Sequence, residues 1–247
     1  MIDDAKRHDL VFKAKLADNS DRHEEMLQLM TSLAREGVDF TEEERTLYSV
    51  ACKNTIKARR SSWRILSSIL QKEVSKDEDS PRNANITREY LSKVEQEVKG
   101  RCNETIEILE KYLIPNTTNA ESKVYFHKMI GDHYRYLAEF EKDKDSSNSL
   151  VVGAAKKAYG NAIGLLSSGV RPTSPVALGL ALNYSVFCYE ILKSPKTACE
   201  VALKAFNDAL GDLKSLSGED YTETASILSM LKDNLTIWTI DYLPRDG

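Results

Sequence analysis

Breakers of regular structure are scarce in this chain. Its 247 residues contain 6 prolines and 11 glycines, and most of them separate stretches of helical periodicity. Runs of Val, Ile and Thr alternating with polar residues are missing, so no strand is expected and the fold class reads as all-α. No apolar run approaches the ~18 residues of a membrane span, so insertion into a bilayer is not expected. The start, Met1-Ile2-Asp3-Asp4-Ala5-Lys6-Arg7-His8, has no apolar centre, so no export signal is expected. The four cysteines, Cys52, Cys102, Cys188 and Cys199, form no CxxC pair, and without an export signal they read as reduced thiols. A cytoplasmic location is the expectation, with the nucleus open as well.

Chemistry-bearing motifs are equally sparse. The four histidines, His8, His23, His127 and His133, give no HExxH, and none has a Glu three residues before it. That excludes the zinc-protease helix and the di-iron helix bundle. There is no phosphate-cradling glycine loop, no GxSxG elbow and no dinucleotide fingerprint. No metal, no cofactor and no catalytic group is expected, and the chain does not read as an enzyme. Asp and Glu number 38 against 34 Lys and Arg, for a net charge of −4, which argues against a nucleic-acid partner held by a broad basic footprint. The length is enough for a sizeable core, as one large domain or two small ones.

What is present is helix after helix. Apolar spacing and breakers predict helices over about 4–19, 21–36, 42–74, 85–113, 120–142, 149–167, 176–192, 195–213 and 220–242. Thr41-Glu42-Glu43-Glu44 is a capping box for the third. Ser75 to Asn83 reads as a charged loop, and Ile114-Pro115-Asn116 as the break after the fourth helix. Short connections between nine such segments suggest an array of antiparallel pairs.

The third helix carries an unusual charge pattern. Lys53, Lys57, Arg60 and Arg64 fall on one side at spacings of four, three and four, and none has an acid three or four residues away. Like charges so placed repel one another and do not stabilise the helix, so the stripe suggests an anion site or a solvated charged face. Arg135 and Tyr136, in Gly131-Asp132-His133-Tyr134-Arg135-Tyr136, offer a second guanidinium and a hydroxyl from another helix. Arginine forks and a lysine point charge are well matched to a phosphate dianion. Arg135 could equally pair with Asp132 or Glu139 along its own helix. Asn183 in the seventh helix and Asn234 in the last stand inside apolar faces. Such amides could hold an extended peptide backbone or bond groups of the core.

Several long segments, in order, resemble the 14-3-3 family: 47–54 (LYSVACKN), 58–64 (ARRSSWR), 131–139 (GDHYRYLAE), 178–186 (LGLALNYSV) and 233–238 (DNLTIW). The resemblance spans essentially the whole chain. It implies a single domain over 1–247: nine antiparallel helices in a cup-shaped, dimeric protomer with a concave peptide groove. Helices one to four would serve dimerisation and the groove floor, and helices five to nine the groove wall. The implied function is an adaptor, not an enzyme, that docks phosphoserine or phosphothreonine segments of client proteins and masks, bridges or reshapes them. By position Lys53, Arg60, Arg135 and Tyr136 correspond to the phosphate pocket, with Arg64 beside them. Asn183, Asn234, Glu190 and Trp238 correspond to the peptide-backbone contacts, and Leu182, Val186, Ile227 and Met230 to the apolar wall. Leu16, Ser20, Ile65 and Tyr90 occupy dimer positions, and Arg22 with Glu97 and Glu25 with Lys93 keep the charges of intersubunit pairs. The partner would be a second copy or another family member. A tetratricopeptide-like scaffold for unmodified acidic or carboxylate-terminal peptides is the alternative.

The chain also departs from the family pattern. Lys57 replaces a small residue within the stripe, Ser226 stands where the groove wall is usually apolar, and Met230 replaces a Leu. His23 replaces an aromatic residue near the dimer positions. Ser62, after two arginines, resembles a position where phosphorylation separates some family dimers. The usual acidic tail is absent after Asp241-Tyr242-Leu243-Pro244.

Overall fold

A computed structural model describes residues 2–75, 81–141, 149–213, 216 and 218–242. Nine long helices account for nearly all of them, and no strand occurs among the described residues. They are α1 (Asp4–Asn19), α2 (His23–Arg35), α3 (Glu42–Val74), α4 (Pro81–Ile108), α5 (Ala120–Ala138), α6 (Leu150–Leu165), α7 (Pro175–Glu190), α8 (Pro195–Asp212) and α9 (Gly218–Tyr242). The all-α expectation and the helix order hold. The chain divides into two compact units, Met1–Thr117 and Thr118–Gly247.

In the first unit α2 is the apolar centre. Met26, Leu27, Met30, Leu33 and Ala34 are buried at helical spacing, and the chain then turns at Gly37 with φ of 70°. The predicted capping box is present. Thr41 Oγ1 accepts from the Glu44 N–H at 3.2 Å, and the Glu44 carboxylate accepts from the Thr41 N–H at 2.7 Å. The same carboxylate takes a fork from Arg7 of α1, with Nε at 2.7 Å and Nη2 at 2.6 Å. One side chain therefore caps α3 and ties α1 to it. Only the first half of α3 is anchored in a core, through Leu47, Tyr48, Ala51, Cys52, Thr55 and Ile56. Its partner α4 buries Val94, Val98, Cys102 and Ile106. Burial pushes the Cys52 thiol up to about 12.

The fourth helix differs from the expected span at both ends. It begins at Pro81, which the first turn tolerates because that N–H has no partner to lose. Its far end does not break at Pro115. It widens into a π-helical turn, Leu109–Leu113, in which the Ile114 N–H reaches the Leu109 carbonyl, and runs on through Ile114–Asn116. The wider turn accommodates a proline that has no N–H to give. Lys142 and the tail after Tyr242 lie outside the described residues.

The second unit is built on small residues. Ala155, Ala158 and Ala162 of α6, and Ala198, Ala202 and Ala209 of α8, are buried and let neighbouring backbones approach closely. Two apolar clusters result. One gathers Val124, Tyr159, Leu180 and Phe187, and the other Leu178, Cys188, Leu231 and Trp238. Ser149 and Ser174 cap α6 and α7 by accepting from Val152 and Val176 N–H groups, each at 3.2 Å. Gly169 ends the α6 extension in the left-handed region at φ 99°.

Burial alone would raise the Glu44 pKa, but the hydrogen bonds from Arg7 and Thr41 outweigh it and hold the group below its ordinary value of 4.5. A depressed carboxylate contributes stability above that value and loses it as pH falls through the folded-state pKa. Glu44→Gln should therefore cost about 1–3 kcal/mol at neutral pH. It should also flatten the acid limb of the stability curve, both read by urea denaturation at a series of pH values.

Candidate functional site

The basic stripe lies where α3 leaves its core. Lys53, Lys57 and Arg64 are exposed and Arg60 is half buried. Among the described residues Lys53 and Lys57 enter no ion pair, whereas Arg60 and Arg64 have interactions within the chain. The neighbouring Arg59 does a different job. Its guanidinium lies 2.7 Å from Glu24, 3.7 Å from Glu97 and 2.6 Å from the Thr55 carbonyl, and Arg101 holds the other Glu24 oxygen at 2.8 Å. The Arg59-Arg60 doublet is thus split by helical geometry into a packing residue and a stripe residue.

In the second unit Asp132 is the hub. Its buried carboxylate accepts from Lys128 Nζ at 2.9 Å, from the Tyr159 hydroxyl at 2.7 Å, and from Asn183 Nδ2 at 2.9 and 2.8 Å. Arg135 Nη2 stands at 3.8 Å from it, and Arg135 Nε donates to the Tyr159 hydroxyl at 3.4 Å. Both readings of Arg135 were open from sequence. It does lean toward Asp132, but Lys128, Tyr159 and Asn183 are the closer partners of that carboxylate. Burial opposes ionisation of Asp132, yet Lys128 and Arg135 hold its pKa below the ordinary 3.8. Burial also works against the Lys128 and Arg135 charges, and the surrounding oxygens, Asp132 among them, hold both pKa values up. Lys128 and Arg135 are thus two cations placed 2.9 and 3.8 Å from the same carboxylate. Tyr136 flanks it, with its ring centroid 4.8 Å from the Arg135 guanidinium carbon.

Close packing holds the cluster in place. A Cβ on Gly131 would lie 2.7 Å from the Tyr159 ring, so only glycine lets that ring approach α5. His133 sets its Nδ1 2.7 Å from the Met129 carbonyl, and burial pushes its pKa down, so the ring is neutral with the proton on Nδ1. It packs edge-on to Tyr136, with centroids 5.6 Å apart.

The other residues singled out in the sequence divide by environment. Leu182, Val186 and Ile227 are half buried against the cluster of Leu178, Leu231 and Trp238. Trp238 is itself buried and stacked on Tyr189 at 5.0 Å, so its ring faces the core. Asn234 is half buried, while Glu190, Ser226 and Met230 are exposed. Ile237, seven residues after Met230 and on the same side of α9, is 58 % exposed; periodicity could have found it. Lys128 was legible as an i,i+4 partner of Asp132, but Tyr159 gave no local signal. An apolar hollow of about 430 Å³ lies on the opposite face of α7, lined by Ala177, Ala181, Tyr184 and Ala205, and its two charges, Lys204 and Asp208, pair at 2.5 Å.

On the first unit Leu16, Ile65 and Tyr90 are each more than half exposed, with Phe12 and Ile86 similarly bare. Ser20 and Ser62 are exposed, and each hydroxyl donates to a carbonyl of its own helix. Within the protomer Arg22 pairs with Glu25 at 2.5 Å. Lys93 lies 5.9 Å from the Tyr90 ring centroid.

The 14-3-3 protein family model matches residues 13–239, across both units. The chain belongs to the 14-3-3 family. It is 48 % identical over 238 residues to the checkpoint signal transducer rad24 of Schizosaccharomyces pombe, covering 95 % of this chain and 86 % of that one. It is 45 % identical to 14-3-3 protein zeta of Xenopus laevis over 235 residues, covering 95 % and 94 %. Against 14-3-3 protein 9 of Solanum lycopersicum it is 44 % identical over 247 residues, covering 100 % and 93 %. 14-3-3 proteins are adaptors that bind client proteins. No helix among the described residues of this 14-3-3 chain is long and apolar enough to cross a membrane.

Removing the hub charge of this 14-3-3 protein should leave two buried cations unbalanced. Asp132→Asn is expected to cost about 3–5 kcal/mol at neutral pH, measured by urea denaturation. The wild-type loss of stability as pH falls below 3.8 should shrink in the variant, because the depressed carboxylate that causes it is gone.

Proposed function

We propose that this 14-3-3 protein docks phosphoserine- and phosphothreonine-bearing segments of client proteins, in the cytoplasm or nucleus. Lys53 and Arg60 of α3 and Arg135 and Tyr136 of α5 are the phosphate contacts, with Arg64 as a supporting charge. The observation that carries this reading is a basic side chain set for an anion in each unit. Lys53 is exposed on α3 with no ion pair among the described residues, and Arg135 stands beside Tyr136 with Asp132 no nearer than 3.8 Å. A phosphate dianion brings about −1.5 to −2 charges and acceptor oxygens suited to guanidinium forks.

The reading assigns roles to the amides as well. A carboxylate can only accept, so Asn183 must turn its NH2 to Asp132. Its Oδ1 is left to accept an N–H from the client backbone. Asn234 and Glu190 supply further polar contacts beside it, Trp238 backs them from the core, and Leu182, Val186, Ile227 and Met230 form the apolar wall.

The active form is a dimer, formed with a second copy or with another 14-3-3 chain. The support is the bare apolar set of Leu16, Ile65 and Tyr90. Ser20 and Ser62 border it, and Arg22, Glu25, Lys93 and Glu97 choose the partner more than they add stability, since exposed pairs contribute about 0–1 kcal/mol.

Fluorescence anisotropy with a labelled phosphoserine peptide tests the phosphate contacts. Lys53→Glu should weaken binding about 100-fold or more while leaving the circular dichroism and melting temperature unchanged. Dephosphorylating the peptide should have the same effect. Equal affinity for phosphorylated and plain peptide would instead favour a scaffold for acidic peptides. For the dimer, Ile65→Lys should shift sedimentation at micromolar concentration toward the monomer, and an unchanged sedimentation coefficient would remove Ile65 from the interface.

A further inference from the structure

We infer that Lys57 is a specificity-determining residue that reads a second anion, a carboxylate or second phosphate two residues from the phosphorylated side chain. The inference rests on the proposed phosphate-binding role of Lys53 and Arg60. At 100° per residue Lys53, Lys57, Arg60 and Arg64 fall within an arc of about 60°, spread over about 16 Å of helix axis. Lys53, Arg60 and Arg135, the cations assigned to the phosphate, already outnumber its roughly two negative charges. Lys57 and Arg64 are then two cations beyond what a single phosphate needs.

Of these two, Lys57 is the available one. It is exposed and enters no ion pair among the described residues, whereas Arg64 already has an interaction within the chain. Among the described residues no carboxylate has to be displaced before Lys57 meets a ligand. Lys57 sits about 6 Å along the axis from Lys53 and about 4.5 Å from Arg60, turned to one side of both. An extended peptide advances about 3.3 Å per residue and shows alternate side chains on one side. An acid two residues from the phosphorylated one therefore recurs after about 7 Å, within reach of an ammonium on its four-carbon stem. Lys53 and Lys57, four apart, repel each other in the free protein. A second anion removes that repulsion as well as adding its own attraction.

The test compares phosphoserine peptides of one sequence on the full chain by fluorescence anisotropy. One peptide has Ala two residues to either side of the phosphoserine, one has Asp on the N-terminal side, one has Asp on the C-terminal side, and a fourth carries a second phosphoserine. At least one Asp peptide should bind about 3- to 5-fold tighter than the Ala peptide at low salt. The second phosphate should exceed that gain, and both gains should shrink in 0.5 M salt. Lys57→Ala, an exposed change to a better helix former, should fold normally and abolish the gain while leaving the Ala peptide within about twofold. Equal binding of all four peptides overturns the inference, as does a gain that survives in Lys57→Ala. Lys53→Glu separates the two readings. It abolishes binding of every phosphopeptide if the phosphate assignment is right. If no phosphopeptide binds the wild type, both readings fall.

Discussion

The second unit depends on the burial of one carboxylate. Asp132 stands among Lys128, Arg135, Tyr159 and Asn183, in surroundings that would otherwise keep it neutral. A buried acid of this kind is held ionised only by partners that cannot leave, and here each partner sits on a helix. Lys128 and Arg135 come from α5 itself, Tyr159 from α6 and Asn183 from α7. Three helices are thereby fixed in register by one charge. The two cations are equally dependent on it, since neither could be buried without an anion nearby.

The first unit solves the opposite problem. Its long helix α3 is anchored over its first half and bare over much of its second. The Glu44 carboxylate secures the start through Arg7 and the capping box, and Arg59 secures the middle through Glu24. Beyond that point side chains meet solvent on several sides. A helix so built presents a charged stripe and an apolar set, with its fully buried residues confined to the first half. The electrostatics of the stripe can change by substitution, as at Lys57, with little cost to folding.

Helix order, the capping box and the class of fold were legible in the sequence because they are local. Spacing of 3.6 residues and the chemistry of Thr41 and Glu44 act within a turn or two of chain. The stripe was legible for the same reason. What sequence could not supply was the choice among partners. Arg135 had two acids within one turn, yet Tyr159, 24 residues away, shapes its surroundings as much as either. Asn183 could have served a ligand or the core. Its NH2 serves Asp132, 51 residues away, and its oxygen has no partner among the described residues. The end of α4 departs from a local rule. Pro115 ordinarily ends a helix, but a single widened turn absorbed it.

The buried thiols give each unit its own clock. Cys52 and Cys102 lie in the first unit and Cys188 in the second, all buried, and burial raises the Cys52 and Cys188 pKa values. A protonated, enclosed thiol does not react with an alkylating reagent, so modification must wait for the surrounding helices to part. Cys199, half buried on α8, needs less opening. The order in which these thiols are labelled therefore ranks the opening free energies of the two helical units separately, without any introduced cysteine.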